Sequence, residues 1–543
     1  MNVAQAVGGA LASLGVDHVF GVVGSGNFHV TNALVEAGAR FVAARHEGGA
    51  ATMADAYART SGTVAAVSVH QGCGLTNAMT GVTEAAKSRT PMIVLAADVT
   101  EPRSNFSVDQ DALAAAVGAV SVRVDTAEDA VVTAARAYYT ALDDRRTVVL
   151  NLPLAVQAQQ CPDGVSLPDR PARASREPSE AGVAPLVDSL ARAQRPVFVA
   201  GRGSRGPGCR EALEGLAETC GALLATSAVA RGLFHGSPWS LDVSGGFCSP
   251  LAAELIRDAD LIVGWGCALN MWTMRHGTLI GPDTTVAQVD LDAASLGAQR
   301  PIAVGVTGGA AETAAAAATA LGPGRAGYRG SQIRDRIAAE IRWRDVGYED
   351  GSTPGRIDPR TLSIALDDLL PVQRVVGVDS GNFMGYPSMF LSVPDERGFC
   401  FTQAFQSIGL GLATAIGAAL AQPDRLPVAA LGDGGALMAV AELETVVRLG
   451  LPMVVVIYDD EAYGAEVHHF GPDGFDLSTV RFPPTDIAAI GRGFGFDGVT
   501  VRRPDDLATV RAWVDGDRAR PLLIDAKTIE APAWWLEEAF RGH

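Results

Sequence analysis

The chain has little of the material that builds disulfide frameworks, zinc sites or membrane spans. Its 543 residues include seven scattered cysteines, and no two of them form a Cys-x-x-Cys pair. Neither a disulfide framework nor a zinc site is therefore indicated. No apolar run approaches the ~18 residues that a helix needs to cross a bilayer. The first residues also lack the positive charge of a signal peptide, so we expect a cytoplasmic protein with reduced thiols.

Basic residues are in short supply as well. The 43 lysines and arginines face 61 acidic residues, which gives a formal net charge of −18. A surface of this charge repels phosphate backbones and anionic lipids, so we expect neither nucleic acid nor a membrane as a partner. Apolar residues make up 48% of the chain, which is enough to bury several cores.

Short apolar runs alternate with helical stretches along most of the chain. Runs such as TVAAVSV and PMIVLAA are typical of strands that are buried on both faces of a parallel sheet. Two polar connectors, residues 161–180 and 323–356, separate three such segments. We therefore predict an α/β protein with three doubly wound parallel-sheet domains, over residues 1–165, 183–322 and 357–543. The outer two segments share an order of elements, which indicates a duplicated ancestor.

The strongest chemical signal lies in the third segment, where two predicted strands end in acidic turns. The strand VAAL leads into Gly432-Asp433-Gly434-Gly435, and the strand PMVVVIY leads into a turn that contains Asp460. The two aspartates are 460 − 433 = 27 positions apart, one strand–helix–strand unit, so both lie where parallel sheets bind ligands. Two carboxylates can hold a hard cation there, and the glycines let the backbone approach a phosphate. Two unrelated turns are the alternative, which the spacing disfavours.

This pair of turns resembles the signature of thiamin diphosphate-dependent enzymes, in which GDG is followed one strand–helix unit later by an asparagine. The resemblance implies that Asp433, Asp460 and the backbone carbonyl of Ala462 bind Mg²⁺, which in turn holds the diphosphate. Asp460 stands where asparagine is usual and adds a negative charge, so the preferred divalent ion stays open. The rest of the turn is implied to contact the cofactor as well, through Tyr463, Gly464 and Ala465.

A glutamate at the start of a predicted helix is the second feature. Glu47 follows the strand FVAA and opens a helix of small residues. Taken alone, such a glutamate is usually only a favourable charge near the helix dipole. The block RHEGGA, however, resembles the family's pyrimidine-domain motif. That resemblance implies that Glu47 protonates N1′ of the cofactor, whose imino form then generates the reactive ylid; apolar surroundings that raise the pKa of Glu47 would help.

Two more loops of the third segment resemble cofactor contacts. Ile408, in FQSIGLGLA, takes the place of the bulky residue that props the cofactor into a V shape, and Ser407 precedes it. Ser380, Gly381 and Asn382 follow the strand RVVGV and resemble a loop that touches the diphosphate and the pyrimidine ring. Taken alone, the first of these is an ordinary glycine-rich helix start.

Four further catalytic candidates come from loops at the expected substrate edge. Gln110 resembles the active-site glutamine of acetohydroxyacid synthases, and Glu466 aligns with a proton-handling glutamate of pyruvate decarboxylase. His29 and His70 stand in loops that line the pocket in relatives. Each of the four, taken by itself, is more often a satisfied polar side chain than a catalyst.

A glycine fingerprint in the middle segment points to a different class of function. Residues 201–206, GRGSRG, match GxGxxG after the strand PVFVA, as in dinucleotide sites. The next strand, GALLATSAV, ends without the acidic residue that would bind a ribose. The family's middle domain holds FAD or ADP in some members, but the RFDD stretch of the flavin-binding synthases is missing, so FAD is disfavoured. An NAD-dependent oxidoreductase is an alternative that calorimetry would decide.

The resemblance covers essentially the whole chain and implies a homodimer or homotetramer, with the cofactor between the first domain of one subunit and the third of another. The favoured function resembles that of acetolactate synthase: a 2-oxo acid is decarboxylated, and the resulting enamine adds to a second carbonyl, of an aldehyde or ketone. The alternatives are a simple decarboxylase like benzoylformate or pyruvate decarboxylase, and a C–C ligase or hydrolase acting on a diketone. An inactive regulatory subunit is also possible in principle, but the presence of Glu47 argues against it. The terminal WWLEEAFRGH is predicted to form a lid.

Overall fold

Three α/β domains follow one another along the chain, each built on a six-stranded parallel sheet. This architecture confirms the predicted fold class. In the part of the chain that is described, no helix is long and apolar enough to cross a membrane. The computed structural model describes residues 1–162, 166–172, 176–322, 324–533 and 535.

The first domain has the strand order β2-β1-β3-β4-β6-β5. Its inner strands are buried along their whole length, as the continuous apolar runs predict. Its strands are β1 (His18–Gly21), β2 (Arg40–Ala43), β3 (Ala65–Val69), β4 (Met92–Asp98), β5 (Val120–Arg123) and β6 (Thr147–Pro153). Its helices are α1 (Val3–Leu14), α2 (Phe28–Glu36), α3 (Glu47–Ser61), α4 (Cys73–Lys87), α5 (Gln110–Ala116), α6 (Ala130–Asp143) and α7 (Leu154–Gln157).

The middle domain has the order β12-β11-β10-β7-β8-β9, in which the chain winds outwards from the centre in both directions. Its strands are β7 (Pro196–Ala200), β8 (Leu223–Thr226), β9 (Ser240–Val243), β10 (Leu261–Trp265), β11 (Thr285–Asp290) and β12 (Val304–Thr307). Its helices are α8 (Glu180–Arg192), α9 (Cys209–Cys220), α10 (Pro250–Arg257), α11 (Ala310–Leu321) and α12 (Ser331–Glu340).

The third domain has the order β14-β13-β15-β16-β18-β17, which repeats the order of the first domain strand for strand. Its strands are β13 (Arg374–Val378), β14 (Phe399–Phe401), β15 (Leu426–Gly432), β16 (Val454–Asp459), β17 (Asp497–Val501) and β18 (Leu522–Lys527). Its helices are α13 (Pro359–Leu369), α14 (Gly385–Phe390), α15 (Gly411–Ala421), α16 (Asp433–Met438), α17 (Glu442–Arg448), α18 (Gly464–Phe470), α19 (Ile487–Phe494) and α20 (Ala508–Asp515).

The two outer domains pack against each other through equivalent helices. Helix α3 follows β2 and helix α15 follows β14, the second strand of each outer domain. Their contact is close, because a Cβ on Gly417 of α15 would lie 2.1 Å from the carbonyl oxygen of Met53 in α3. Side chains of both domains form one continuous apolar core around this contact, which includes Val67, Ile416 and Val455. The predicted likeness of the outer segments is therefore a likeness of fold and of packing.

Two stretches differ from their sequence-based prediction. The single helix expected after Gly435 is broken, because α16 ends at Met438 and α17 begins at Glu442. The second connector also contains α12, whose Ile337 is buried with Tyr328 in the core of the middle domain. Sequence polarity hid this helix because it buries only one face.

Candidate active site

Two carboxylates stand side by side at the carboxyl edge of the third sheet. Asp433 follows β15 and Asp460 follows β16, two strands that are paired in the sheet. Burial raises the pKa of Asp433 to about 8, and the charge of Asp460 adds to the effect. Burial also raises the pKa of Asp460 to about 7, aided by the charge of Asp459. Among the described residues neither carboxylate has an ion-pair partner, so a divalent cation would relieve the cost of their ionisation.

Glycines around this pair leave a cradle that side chains would fill. A Cβ on Gly464 would lie 2.5 Å from Oδ2 of Asp460. One on Gly434 would lie 2.7 Å from the ring of Tyr463, which packs edge-on against Phe482. The backbone around the carboxylates can therefore approach a bound anion more closely than any other residue type would allow.

Asn382 carries a buried polar atom that no other described residue pairs with. Its side chain is 8% exposed, and its Nδ2 donates to the carbonyl of Ala531. Its Oδ1 is buried and has no hydrogen-bond partner among the described residues. Gly381, directly before it, has φ +133°, which favours glycine and turns the loop that begins at Ser380 into the site. A buried acceptor of this kind indicates a missing ligand.

Asp379, at the start of the same loop, joins three loops of the third domain. It is fully buried and accepts the backbone N–H groups of Ser380, Gly409 and Leu410. A Cβ on Gly435 would lie only 2.2 Å from Oδ2 of Asp379, so the glycine allows the carboxylate to approach this loop. Burial raises the pKa of Asp379 to about 6 despite these N–H groups. Asp379 was not among the residues predicted from the sequence; its bonds to several loops give it a structural role in the site.

The loop that Asp379 holds carries Ser407 and Ile408, both half-buried. Beyond the carboxylate pair, Ala462 is buried and Ala465 lies in the first turn of α18. Glu466 also stands in that first turn, half-buried, where a helix start favours a negative charge. The structure therefore brings the predicted cofactor-binding residues of the third domain to one edge of one sheet.

Glu47 opens α3 in the first domain. The helix is capped by His46, whose Nδ1 accepts the N–H of Gly48 at 3.0 Å. The Nδ2 of Asn77 donates to Glu47 Oε2 at 3.1 Å. Glu47 does not line the cavity next to Asp433, a volume of about 480 Å³. Within one chain, the predicted base and the predicted metal site are thus not assembled into one pocket.

Of the two histidine candidates of the first domain, His70 lies in a loop, whereas His29, expected in a loop, belongs to helix α2. His70 is half-buried and its ring packs edge-on against Phe106. Its Nδ1 faces the N–H of Gly26 at 3.3 Å, which assigns the proton of the neutral ring to Nε2. His29 is exposed beside Phe28 in the first turn of α2. His70 therefore has the better-defined orientation for proton donation.

Gln110 is buried, and its side chain is fully engaged. Its Nε2 donates to the carbonyl of Ala97 and to Oδ1 of Asn151, and its Oε1 faces the N–H of Gly72 at 3.4 Å. These bonds hold the turn that follows His70. The arrangement braces a substrate loop from behind, and leaves Gln110 no free polar group to offer a substrate.

The glycine fingerprint of the middle domain has a packing role. A Cβ on Gly201 would lie 2.3 Å from the carbonyl oxygen of Gly266, and one on Gly203 would lie 2.7 Å from its Cα, so the loops after β7 and β10 touch. These glycines also line a cavity of about 400 Å³ between the domains. Arg202, half-buried in the wall of this cavity, donates to the carbonyl of Ser88 in the first domain. The sequence-based view that FAD is disfavoured stays a prediction.

Three family models cover most of the chain, in the order of its domains. Residues 1–122 match the N-terminal TPP binding domain of thiamine pyrophosphate enzymes, residues 183–317 match their central domain, and residues 379–526 match their C-terminal TPP binding domain. The order of these matches agrees with the order of the three sheets. The two TPP binding domain matches include Glu47 in the first domain and the carboxylate pair in the third.

Relatives of similar length carry different activities. A probable 2-ketoarginine decarboxylase of Pseudomonas aeruginosa is 29% identical, over 93% of this chain and 90% of that protein. A sulfoacetaldehyde acetyltransferase of Castellaniella defragrans is 27% identical, over 93% and 89%. An acetolactate synthase large subunit of Parasynechococcus marenigrum is 26% identical, over 92% and 84%.

A solved structure has the same fold. The thiamine diphosphate-dependent 4-hydroxybenzoylformate decarboxylase of Rhodococcus jostii superposes with a TM-score of 0.80, at 21% identity, over 98% of this chain and all of that one. With the three family models in order along the sequence, the chain belongs to the thiamin pyrophosphate enzymes.

Proposed function

We propose that this chain uses thiamin diphosphate and Mg²⁺ to decarboxylate a 2-oxo acid. The observation that carries the proposal is the pair of carboxylates beside a glycine cradle, Asp433, which is buried, and Asp460, which is half-buried. Mg²⁺ would be held by these two side chains and the carbonyl of Ala462, and the diphosphate would lie against the cradle. The unpartnered Oδ1 of Asn382 is an acceptor, and an N–H donor of the bound cofactor or the cation would give it a partner. The residues present therefore fit the cofactor and its metal.

When bound, thiamin diphosphate supplies the nucleophilic carbon and the electron sink for the loss of CO₂. In this proposal Glu47 would share a proton with the aminopyrimidine ring of the bound cofactor, and Ile408 would support the cofactor. His70, through the proton on Nε2, and Glu466 handle protons at the substrate. His29, which is exposed, would stand at the rim of the site.

A homodimer is the smallest assembly that completes this site. Glu47 and the carboxylate pair belong to different domains, and one chain does not unite them. Large exposed apolar side chains follow the carboxyl ends of strands in both outer sheets, including Phe28 (51%) and Phe106 (41%) in the first domain and Phe405 (44%) and Met438 (56%) in the third. Apolar surface at two complementary edges favours burial against a second copy.

Simple decarboxylation is favoured over carboligation by the placement of Gln110. The likeness of this residue to a ligase glutamine motivated the carboligase hypothesis, yet its polar atoms are bonded within the first domain. Carboligation is the second candidate, favoured by the sulfoacetaldehyde acetyltransferase and acetolactate synthase among the relatives. Ligation or cleavage of a diketone has no comparable support.

A panel of 2-oxo acids tests the proposal. The protein with thiamin diphosphate and Mg²⁺ is given pyruvate, benzoylformate, 4-hydroxybenzoylformate and 2-ketoarginine, with and without an added aldehyde, and the products are followed by NMR. An aldehyde and CO₂ alone identify a decarboxylase, and a new hydroxyketone or acetolactate identifies a ligase. An Asp433→Asn variant is the matched inactive control. No cofactor-dependent turnover and no stabilisation by cofactor with Mg²⁺ would overturn the assignment.

A further inference from the structure

The start of α3 is held by a carboxylate from the third domain. Oε1 of Glu442 accepts the backbone N–H of Arg45 at 3.0 Å and that of His46 at 3.1 Å, the two residues before Glu47. Glu442 is 3% exposed, and its Oε2 accepts the hydroxyl of Thr445 at 2.6 Å. The carboxylate is thus fixed in orientation, and it ties the backbone directly before Glu47 to α17.

The surrounding sequence makes room for this contact. A Cβ on Gly49 would lie 2.5 Å from Oε1 of Glu442, so the glycine allows the carboxylate to approach. Arg448, at the end of α17, donates to the carbonyl of Ala43 at the end of β2. The break between α16 and α17 also lies directly before Glu442. The turn at residues 43–49 is therefore shaped around a side chain of the other domain.

The same arrangement occurs in reverse between the two outer domains. Glu84, on the helix after the third strand of the first domain, accepts the N–H groups of Ala404 at 3.1 Å and Phe405 at 2.6 Å. These residues follow β14 and lead to Ile408. Glu442 likewise follows the third strand of its own domain and holds the segment after the second strand of the other. Two equivalent bridges indicate a shared purpose: each fixes a segment that carries a predicted cofactor contact.

We propose that Glu442 is a positioning residue, which fixes the carboxylate of Glu47 against the aminopyrimidine ring by accepting the N–H groups of Arg45 and His46. The inference rests on the proposed function, in which Glu47 shares a proton with that ring. Because the bonds go to backbone donors, the required property of residue 442 is an oxygen acceptor at the right reach, and its negative charge is secondary.

Three substitutions of Glu442 distinguish the effect of the position of its oxygens from the effect of its negative charge. Glu442→Gln keeps an oxygen in place for the two N–H groups, and its amide can donate to the hydroxyl of Thr445. Glu442→Asp keeps the charge but withdraws the oxygens by one methylene, and Glu442→Ala removes them. The control is Glu444→Gln, which removes the charge that pairs with the side chains of Arg45 and Arg448 and leaves the bonds of Glu442 to the backbone intact.

Two measurements read the result. Amide hydrogen–deuterium exchange over residues 43–50 of the cofactor-free protein reports the bonds themselves. Exchange of the C2 proton of added thiamin diphosphate, quenched and read by NMR, reports the action of Glu47. We expect Glu442→Asp and Glu442→Ala to lose amide protection and to slow C2 exchange by about tenfold or more. Glu442→Gln and Glu444→Gln should stay near wild type in both measurements.

The outcomes are distinct. A charge-based role predicts the reverse order, with Glu442→Asp near wild type and Glu442→Gln impaired, and that order would overturn the inference. So would unchanged amide protection in Glu442→Asp, which also decides the question if Glu442→Ala does not fold. If the wild-type protein itself binds no thiamin diphosphate, the proposed function fails, while the amide arm still shows whether Glu442 holds the turn.

Discussion

At the scale of single residues, the buried Asp379 connects the loops of the third domain. Its carboxylate is fully buried and accepts three backbone N–H groups, two of them in the loop of Ile408. Its pKa of about 6 in the folded chain lies above the ordinary aspartate value of about 4. The folded state therefore binds this proton more tightly, so ionisation of Asp379 lowers stability as the pH rises from about 4 to about 6.

The function of the loop needs the ionised form, which leads to a prediction. Below about pH 6 a proton on Asp379 competes with the three N–H groups and loosens the loop, so kcat should fall on the acid side with an apparent pKa of about 6. Asp379→Asn replaces one of the two accepting oxygens by an amide donor that faces an N–H group, and should lower kcat at every pH, by roughly tenfold or more. Steady-state pH profiles of both proteins check this. An Asp379→Asn variant with wild-type rates and an unchanged acid limb would contradict it.

Asp460 carries a prediction about the metal. Asparagine there would keep an oxygen ligand but remove one of the two charges that face the cation. Asp460→Asn should therefore bind Mg²⁺ alone roughly tenfold more weakly. Isothermal titration of Mg²⁺ into each protein without thiamin diphosphate measures this directly. The neighbouring Asp459, whose carboxylate pairs with Lys527, is the same in both proteins. Equal affinity in both proteins would show that the second charge does not contact the ion.

The site residues that can be recognised from the sequence are those whose signal lies in neighbouring positions. Asp433, Asp460 and Glu47 stand at strand-to-helix turns whose glycines and spacing are read from neighbouring residues. No local pattern singles out Glu442, because its partners are 396 and 397 positions away. Gln110 shows the opposite limit: a residue type typical of a site is held by bonds to Ala97 and Asn151 that no local pattern reveals.

At the scale of elements, the pattern of apolar runs predicted the sheets but not the closeness of the helices between them. The fold class and the likeness of the outer segments came from strand periodicity, which repeats within a few residues. The contact of α3 with α15 depends on small residues that read as an ordinary alanine-rich and glycine-rich helix. Its importance is visible only where Gly417 meets the backbone at Met53.

That contact carries a prediction. In Gly417→Ala the new Cβ meets the backbone of α3, which cannot give way as a flexible side chain would. We expect a loss of about 1–3 kcal/mol in stability, together with weaker retention of thiamin diphosphate, because α3 begins at Glu47 and α15 follows Ile408. Thermal unfolding and cofactor titration measure both effects.

A helical glycine elsewhere provides the matched control. Gly215, in α9 of the middle domain, has no atom within 4 Å of an added Cβ. Gly215→Ala should therefore stabilise the protein, by roughly 0.5–1 kcal/mol, through helix propensity alone. If both variants changed stability in the same direction, the helix contact would not be what sets the effect at Gly417.

At the scale of the whole molecule, the two outer domains use equivalent edges for different parts of one site. The first contributes Glu47 and the third contributes the carboxylate pair, and packing of α3 on α15 within a chain turns these edges towards other partners. The resemblance to a family suggests this division from the sequence. The apolar side chains at the two edges are scattered along the chain, so the surface that they form is visible only in the folded structure.

This division predicts complementation between two inactive variants. Glu47→Gln removes the base from the first domain, and Asp433→Asn removes a metal ligand from the third, so each homodimer lacks both working sites. In a mixed dimer one site receives both defects and the other receives none. Random mixing makes half of the dimers mixed, each with one good site of two, so activity should return to about a quarter of wild type.

The experiment needs subunit exchange, which co-expression with two affinity tags provides. The purified mixed dimer should show half of the wild-type kcat per dimer and bind one thiamin diphosphate tightly. A mixture of Glu47→Gln with Glu47→Ala is the control and should stay inactive, because every site then lacks the base. If the mixed dimer of Glu47→Gln and Asp433→Asn were inactive as well, base and metal would have to act within one chain, and the proposed assembly would be wrong.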